Sequence, residues 1–241
     1  MNILIAPDKF KGSLSAEEVC QSIAKGLRNN YPSSSIQFAP LADGGDGTLT
    51  ILNQYLTLRS RCLKSCDPLG RPLDVTYLER DDAAFIEVAA ASGLVLLTEE
   101  ERNPLLTSTF GTGLQLKDAL VNGKQHISLL LGGSATNDLG LGIVEALGYT
   151  FYTEGGQQIR PTGDQLVNIY RIKRPEHCLW EGKKITLLCD VDNPLYGPNG
   201  AAHVYAAQKG ATPLMIEKLE RGARQVANVI TWKKRLSGPT W

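Results

Sequence analysis

The sequence predicts an α/β fold built in the manner of a doubly wound domain. Short apolar runs alternate with segments of helical period, several of those runs stop at glycine-rich polar loops, and one helix start carries a capping box.

The elements follow in order. Asn2–Pro7, "NILIAP", is an apolar run closed by proline, the pattern of a buried strand, and a polar loop "DKFKG" follows it. Ser15-Ala-Glu-Glu18 is a capping box, and Val19, Ile23 and Leu27 recur at four-residue steps, so a helix is expected as far as about Asn29. Ser35–Leu41 reads as a second strand, and "ADGGDGT" as a turn leading into a helix over Leu49–Leu56. Between Arg61 and Ala89, "PLG" and "DD" turns separate short runs, which predicts antiparallel strands and hairpins. Ser108–Gly123 is a helix with a glycine stop, His126–Gly133 a strand, Gly140–Tyr149 a helix and Lys184–Val191 a strand. Asp192–Ala211 is a long loop or mixed segment. Thr212–Ile230 is helical, with Thr212 as cap and Pro213 in the first turn. A domain division is expected near residue 70, within "DPLGRPL".

Composition narrows the class of partner. With 241 residues, 42% hydrophobic and 21% charged, the chain reads as globular and able to bury a core without disulfides. Lys+Arg and Asp+Glu number 25 each, so the formal charge is zero, which argues against a general nucleic-acid or anionic-membrane surface. The five cysteines have no framework spacing, and Cys62 and Cys66 lack the companions of a zinc site; reduced thiols in a cytoplasmic protein are expected. The start "MNILIAPDKFKGS" has no leader-like apolar core, and no run is long enough for a membrane span.

Three loops share one construction, an apolar strand followed by glycines and small polar or acidic residues: "ILIAPDKFKGSLS", "FAPLADGGDGT" and "LLLGGSATND". In α/β sheets such loops gather at the carboxyl ends of strands, where ligands bind. Glycines let backbone N–H groups approach an anion. Ser134, Thr136 and Asn137 add donors, Lys9 and Lys11 positive charge, and Asp43, Asp46 and Asp138 are acids that can hold Mg²⁺ or accept a proton. Together these suit phosphoryl transfer. Each piece alone has a plainer reading: an N-cap, a tight turn, a solvated lysine pair, and Asx turns at Asp190 and Asp192 before Pro194. His126, His177 and His203 show no paired spacing. No G-x-x-x-x-G-K-[ST] loop is present, and "GLGIVE" from Gly140 puts Glu145 where a dinucleotide fingerprint needs its third small residue, which disfavours a nicotinamide enzyme.

Five motifs in one order resemble the bacterial glycerate kinase family, of the GarK/GlxK-like group and not the animal-type kinases. They are "IAPDKFKGSLSAEEV" (Ile5–Val19), "PLADGGDGT" (Pro40–Thr48), "TFGTG" (Thr109–Gly113), "GGSATNDLG" (Gly132–Gly140) and "CDVDNPLYGPNGAA" (Cys189–Ala202). The resemblance implies transfer of the ATP γ-phosphoryl group to D-glycerate with Mg²⁺, giving phosphoglycerate and ADP. It implies two α/β units, a Rossmann-like domain and an inserted mixed α/β domain, here 1–70 and 71–241. It implies substrate or phosphate contacts at Asp8, Ser13, Gly44, Gly45, Asp46, Gly47, Gly132, Gly133, Ser134, Thr136, Asn137, Asp138, Asn193 and Lys209; Asp46 stands where the family usually has Glu. Physical reasoning adds Lys9, Lys11, Asp43 and Asp190 as catalytic candidates, with Asp43 or Asp190 as the metal carboxylate.

Members of that family continue past this length with a "GAAGG"-like and a later "GEG-x-x-D-x-Q"-like segment, whereas this chain reads "TWKKRLSGPTW" after Ile230. The expectation is a shortened chain with an incomplete Rossmann-like sheet, exposed apolar surface and weak or absent turnover. A non-catalytic remnant that still binds phosphate or glycerate is the alternative.

Overall fold

A computed structural model describes the backbone of residues 1–10, 13–45 and 47–237, and side chains as far as residue 231. The expected site residues Lys11 and Asp46 lie outside the described residues.

The first segment forms as its sequence requires. β1 (Asn2–Ile5) and β2 (Ser35–Phe38) pair in parallel and are joined through α1 (Ala16–Asn30). The capping box is present: the Ser15 hydroxyl accepts the Glu18 N–H at 3.2 Å, and the Glu18 carboxylate accepts the Ser15 N–H at 2.7 Å. Cys20, Ala24 and Leu27 of α1 pack on Ile3, Ile5 and Ile36. Among the described residues this sheet has two strands, and Leu4, on the face away from α1, is 63% exposed.

The chain continues with α2 (Thr48–Tyr55), β3 (Arg59–Cys66), β4 (Pro72–Arg80), β5 (Ala83–Glu87), α3 (Ala89–Ser92), α4 (Phe110–Val121), β6 (His126–Leu130) and α5 (Leu141–Ala146). It ends with β7 (Thr150–Tyr152), β8 (Gln158–Ile159), β9 (Arg171–Lys173), β10 (Lys184–Leu188), α6 (Ala201–Tyr205) and α7 (Pro213–Ser237). Five strands form the larger sheet in the order β10-β6-β5-β4-β3. β5, β6 and β10 run parallel, and β4 and β3 add antiparallel pairings. The division expected near residue 70 falls in the turn of the β3–β4 hairpin, which pairs from Arg59–Glu79 to Cys66–Pro72.

Alternation along these strands sorts side chains onto two buried faces. Tyr77, Ala84, Ile86, Ile127 and Leu129 meet Leu116, Ala119 and Leu120 of α4. Leu78, Phe85 and Leu130 meet Leu49 and Leu52 of α2 and Leu56 just after it. Burial on both sides explains why the adjacent Leu129 and Leu130 are both apolar.

A small antiparallel sheet, β8-β7-β9, was not foreseen from sequence, because strands of two or three residues leave no alternation to count. Its Phe151, Ile159 and Ile172 pack with Leu141, Leu166, Ile169 and Val226. α7 begins as expected, the Thr212 hydroxyl accepting the Met215 N–H at 3.4 Å. It runs beyond Ile230, since Lys233, Lys234, Arg235 and Leu236 all favour helix and no proline intervenes before Pro239.

α4 and α5 cross at close range. A Cβ on Gly113 would stand 2.6 Å from the Ala146 Cβ and 2.7 Å from the Ile143 carbonyl oxygen. Gly113→Ala should therefore destabilise the chain by about 1–3 kcal/mol, read as a lower midpoint in urea unfolding; an unchanged midpoint would mean that this crossing is loose.

Candidate active site

The loops converge where the parallel strands end. The Leu131 N–H donates to the Leu188 carbonyl at 3.0 Å, and the Gly132 N–H reaches the Gly44 carbonyl at 3.4 Å. The loop after β2 thus rests on the carboxyl end of the five-stranded sheet. A Cβ on Gly132 would stand 2.2 Å from the Gly45 Cα, so the two backbones meet where a side chain would keep them apart. Beside this contact the Asp43 Oδ1 accepts the Gly45 N–H at 2.8 Å and the Lys9 ammonium at 3.0 Å. The Lys9 side chain is 12% exposed and that of Asp43 28%. Burial pushes the Asp43 carboxyl up, but the Gly45 N–H and Lys9 outweigh it and hold the group below the usual carboxylate range. A cavity of about 320 Å³ opens next to Lys9, between the start of α1 and α2, and Asp8, Ser13, Gly47, Phe10 and Ile51 are among the residues lining it.

The third loop is held from inside. Asp138 is 1% exposed. Its Oδ2 accepts the Thr109 N–H at 2.7 Å, the Thr109 hydroxyl at 2.8 Å and the Gly142 N–H at 3.2 Å, and its Oδ1 accepts the Gly140 N–H at 3.1 Å. The carboxylate therefore sits at the starts of both α4 and α5, where the helix dipoles favour negative charge. Burial pushes its carboxyl up and the four donors oppose it. These oxygens face protein donors and not the cavity. Thr136 and Asn137 are buried as well, while Gly133 is exposed and Gly132 and Ser134 are half-buried.

Lys209, expected at the ligand, is 9% exposed and donates to the Thr136 carbonyl at 2.6 Å and the Ser134 hydroxyl at 3.0 Å. Asp190 and Asn193 follow β10 on an exposed segment. Asn193 is tied locally, donating to the Asn199 carbonyl at 3.0 Å and accepting from the Tyr205 hydroxyl. Among the described residues no hydrogen bond or ion pair joins Asp190 to Lys9 or Asp43. The structure thus brings Lys9, Asp43, Gly44, Gly45 and Gly132 together, and links Ser134 and Thr136 to Lys209. One acid escaped the sequence reading. Glu87, at the carboxyl end of β5, accepts the Leu49 N–H at 3.1 Å and so docks the start of α2. Its signal was a lone carboxylate closing a buried strand, without a glycine loop to draw notice.

The model of the Glycerate kinase family matches residues 3–238. The chain belongs to the glycerate kinase family. It is 42% identical to a glycerate kinase of Halalkalibacterium halodurans and 40% identical to the glycerate 2-kinase of Escherichia coli K12, in each case over 95% of this chain and 61% of the relative. A crystal structure of a Salmonella typhimurium LT2 protein assigned as glycerate kinase 2 superposes with a TM-score of 0.78 at 40% identity, covering 96% of this chain and 63% of that one. The chain therefore spans about three fifths of the length of the curated relatives it matches. The likeness shows a mixed α/β family fold. Among the described residues no helix is long and apolar enough to cross a membrane.

Asp138→Asn would set an amide NH₂ against donors that need an acceptor, and should cost about 3 kcal/mol in denaturant unfolding. At Asp43 the folded carboxyl titrates below its unfolded value. Its contribution to stability is thus complete above the ordinary carboxylate pKa near 4 and is lost as pH falls through the lower folded value. An acid titration of Tm should therefore be shallower in Asp43→Asn than in wild type below about pH 4, and parallel titrations would refute the pairing.

Proposed function

We propose that this chain carries the phosphoryl-transfer site of a glycerate kinase, moving the ATP γ-phosphoryl group to a hydroxyl of D-glycerate to give phosphoglycerate and ADP. The observation that supports this best is the Lys9–Asp43 pair, set beside the Gly45–Gly132 contact and at the mouth of a cavity large enough for a small acid. Phosphoryl transfer depends mainly on positioning and charge neutralisation, and this is what the pair offers. Lys9 would hold the glycerate carboxylate or a phosphate oxygen. Asp43 would orient the acceptor hydroxyl and take up its proton.

The donor set suits Mg²⁺. Among the described residues Asp43 bonds through its Oδ1, Asp190 is exposed, and no cluster of three or more His, Cys, Asp or Glu occurs. An ion that completes its shell with water and nucleotide phosphates asks for one or two carboxylates. Asp43 or Asp190 would supply a carboxylate to it, and the ion would neutralise charge on the phosphates. Asp8, Ser13, Gly44, Gly45, Gly47, Gly132, Gly133, Ser134 and Asn193 would line the ligand path. Asp138 and Thr136 would act from behind as the frame of the third loop.

The same reading divides the fold in two. The β1–β2 unit would be the part of a Rossmann-like domain that this chain supplies, and the five-stranded sheet with its helices the mixed α/β domain, most simply divided between α2 and β3. Support comes from Leu4, 63% exposed on a two-stranded parallel sheet, since parallel sheets are covered on both faces. That exposure also favours a second reading, in which this chain binds glycerate or phosphate without turnover. A cytoplasmic location with reduced thiols fits either.

ADP release by the purified chain with D-glycerate, ATP and Mg²⁺ decides between them. Turnover that falls about 10²-fold or more in both Lys9→Ala and Asp43→Ala would support the kinase site. Ligand binding without turnover would favour the second reading. Neither binding nor turnover would defeat both.

A further inference from the structure

We infer that Lys209 is a positioning residue, an internal cation that fixes where the exposed edge of the Gly132–Asp138 loop stands. Its consequence for rate rests on the kinase reading above, while its structural role rests on geometry alone. Lys209 closes a short helical turn over Ala207–Lys209, far along the chain from the loop it holds. Its ammonium spans 73 residues of sequence to the Thr136 carbonyl and 75 to the Ser134 hydroxyl.

The other ties on this loop leave that work to Lys209. The Ala135 N–H donates to the Ser92 carbonyl at 2.8 Å, the Leu94 N–H to the Gly133 carbonyl at 2.9 Å, and the Thr107 hydroxyl to the Ala135 carbonyl at 3.0 Å. Those bonds anchor the main chain at Gly133 and Ala135. The Ser134 side chain and the Thr136 carbonyl, one residue to either side of Ala135, meet Lys209. An uncompensated ammonium at this depth would be costly, and here a carbonyl, a hydroxyl and the field of Asp138 compensate it. Burial lowers the lysine to about 8, with Asp138 opposing, so at neutral pH it remains a cation and keeps its donors.

A loop held in this way matters to phosphoryl transfer through placement. Displacement of a positioning element by about 1 Å can cost on the order of 10²-fold in rate. The loss should fall on kcat more than on KM, because a misplaced loop still binds the ground state.

The test compares the full chain as wild type, Lys209→Met and Ser134→Ala. The methionine keeps the stem's length and removes the charge; the alanine removes one of the two bonds. Amide hydrogen exchange should rise about tenfold or more at residues 132–137 in Lys209→Met and less in Ser134→Ala, with β6 and α7 still protected. With ATP and D-glycerate, kcat should fall about 10²-fold while KM for either substrate moves less than about threefold. Faster exchange across the whole chain would reduce Lys209 to a fold residue and overturn the inference. So would unchanged loop exchange, or a KM increase at constant kcat, which would mean that the ammonium grips the ligand itself. If wild type shows no turnover, the kinase reading fails for this chain, and the exchange comparison alone then decides the positioning role.

Discussion

The buried carboxylate of Asp138 is the constraint around which the rest is arranged. Two helix starts are aimed at it, and each belongs to a different core. α4 lays Leu116, Ala119 and Leu120 on the five-stranded sheet, while α5 sends Leu141 into the cluster around Phe151 and Ile169. The four donors on Asp138 therefore join two hydrophobic clusters at one point, directly after the glycine loop that leaves β6. A polar junction of this kind has few alternatives. Removing one partner leaves charge or donors stranded in a low-dielectric interior, which is far more costly than the bonds are individually favourable. The geometry of the loop is thereby tied to the packing of both helices.

Local signals were legible in the sequence because they are written within a few residues. The Ser15–Glu18 box, the apolar run before Gly132 and the Thr212 cap each appear where their residues indicate. The resemblance to glycerate kinases agrees with the family whose model matches residues 3–238. What the residues could not reveal was direction. Asp138 and Lys209 look like ligand groups in a polar string, yet they turn inward, because their partners come from Thr109, Gly142, Ser134 and Thr136, up to 75 residues away. Glu87 was missed for the opposite reason, since its neighbours in the sequence, Ile86 and Val88, are apolar. The short strands β7, β8 and β9 left no periodicity to read.

The β1–β2 unit has a different standing from the rest. It buries one face under α1 through Cys20 and Ala24, but Leu4 and Phe38 remain 63% and 39% exposed. At the outer edge of the larger sheet, Leu187 is 58% exposed. Apolar side chains in such numbers along parallel strand edges are the surfaces that α/β proteins normally cover. Both surfaces adjoin the loops of the site, through Lys9 after β1 and through Leu188 beneath Gly44.

The two lysines show how one site combines a rigid part with a yielding one. Lys209 and Asp138 are both deeply buried, and disturbing either exposes an interior charge without a counterpart. Lys9 and Asp43 pair next to the cavity, less deeply buried than Asp138. On the proposed reading, an anion entering that cavity would meet the Lys9 ammonium beside Asp43. The inner groups face protein partners alone, Lys209 on Ser134 and Thr136 and Asp138 on Thr109, Gly140 and Gly142.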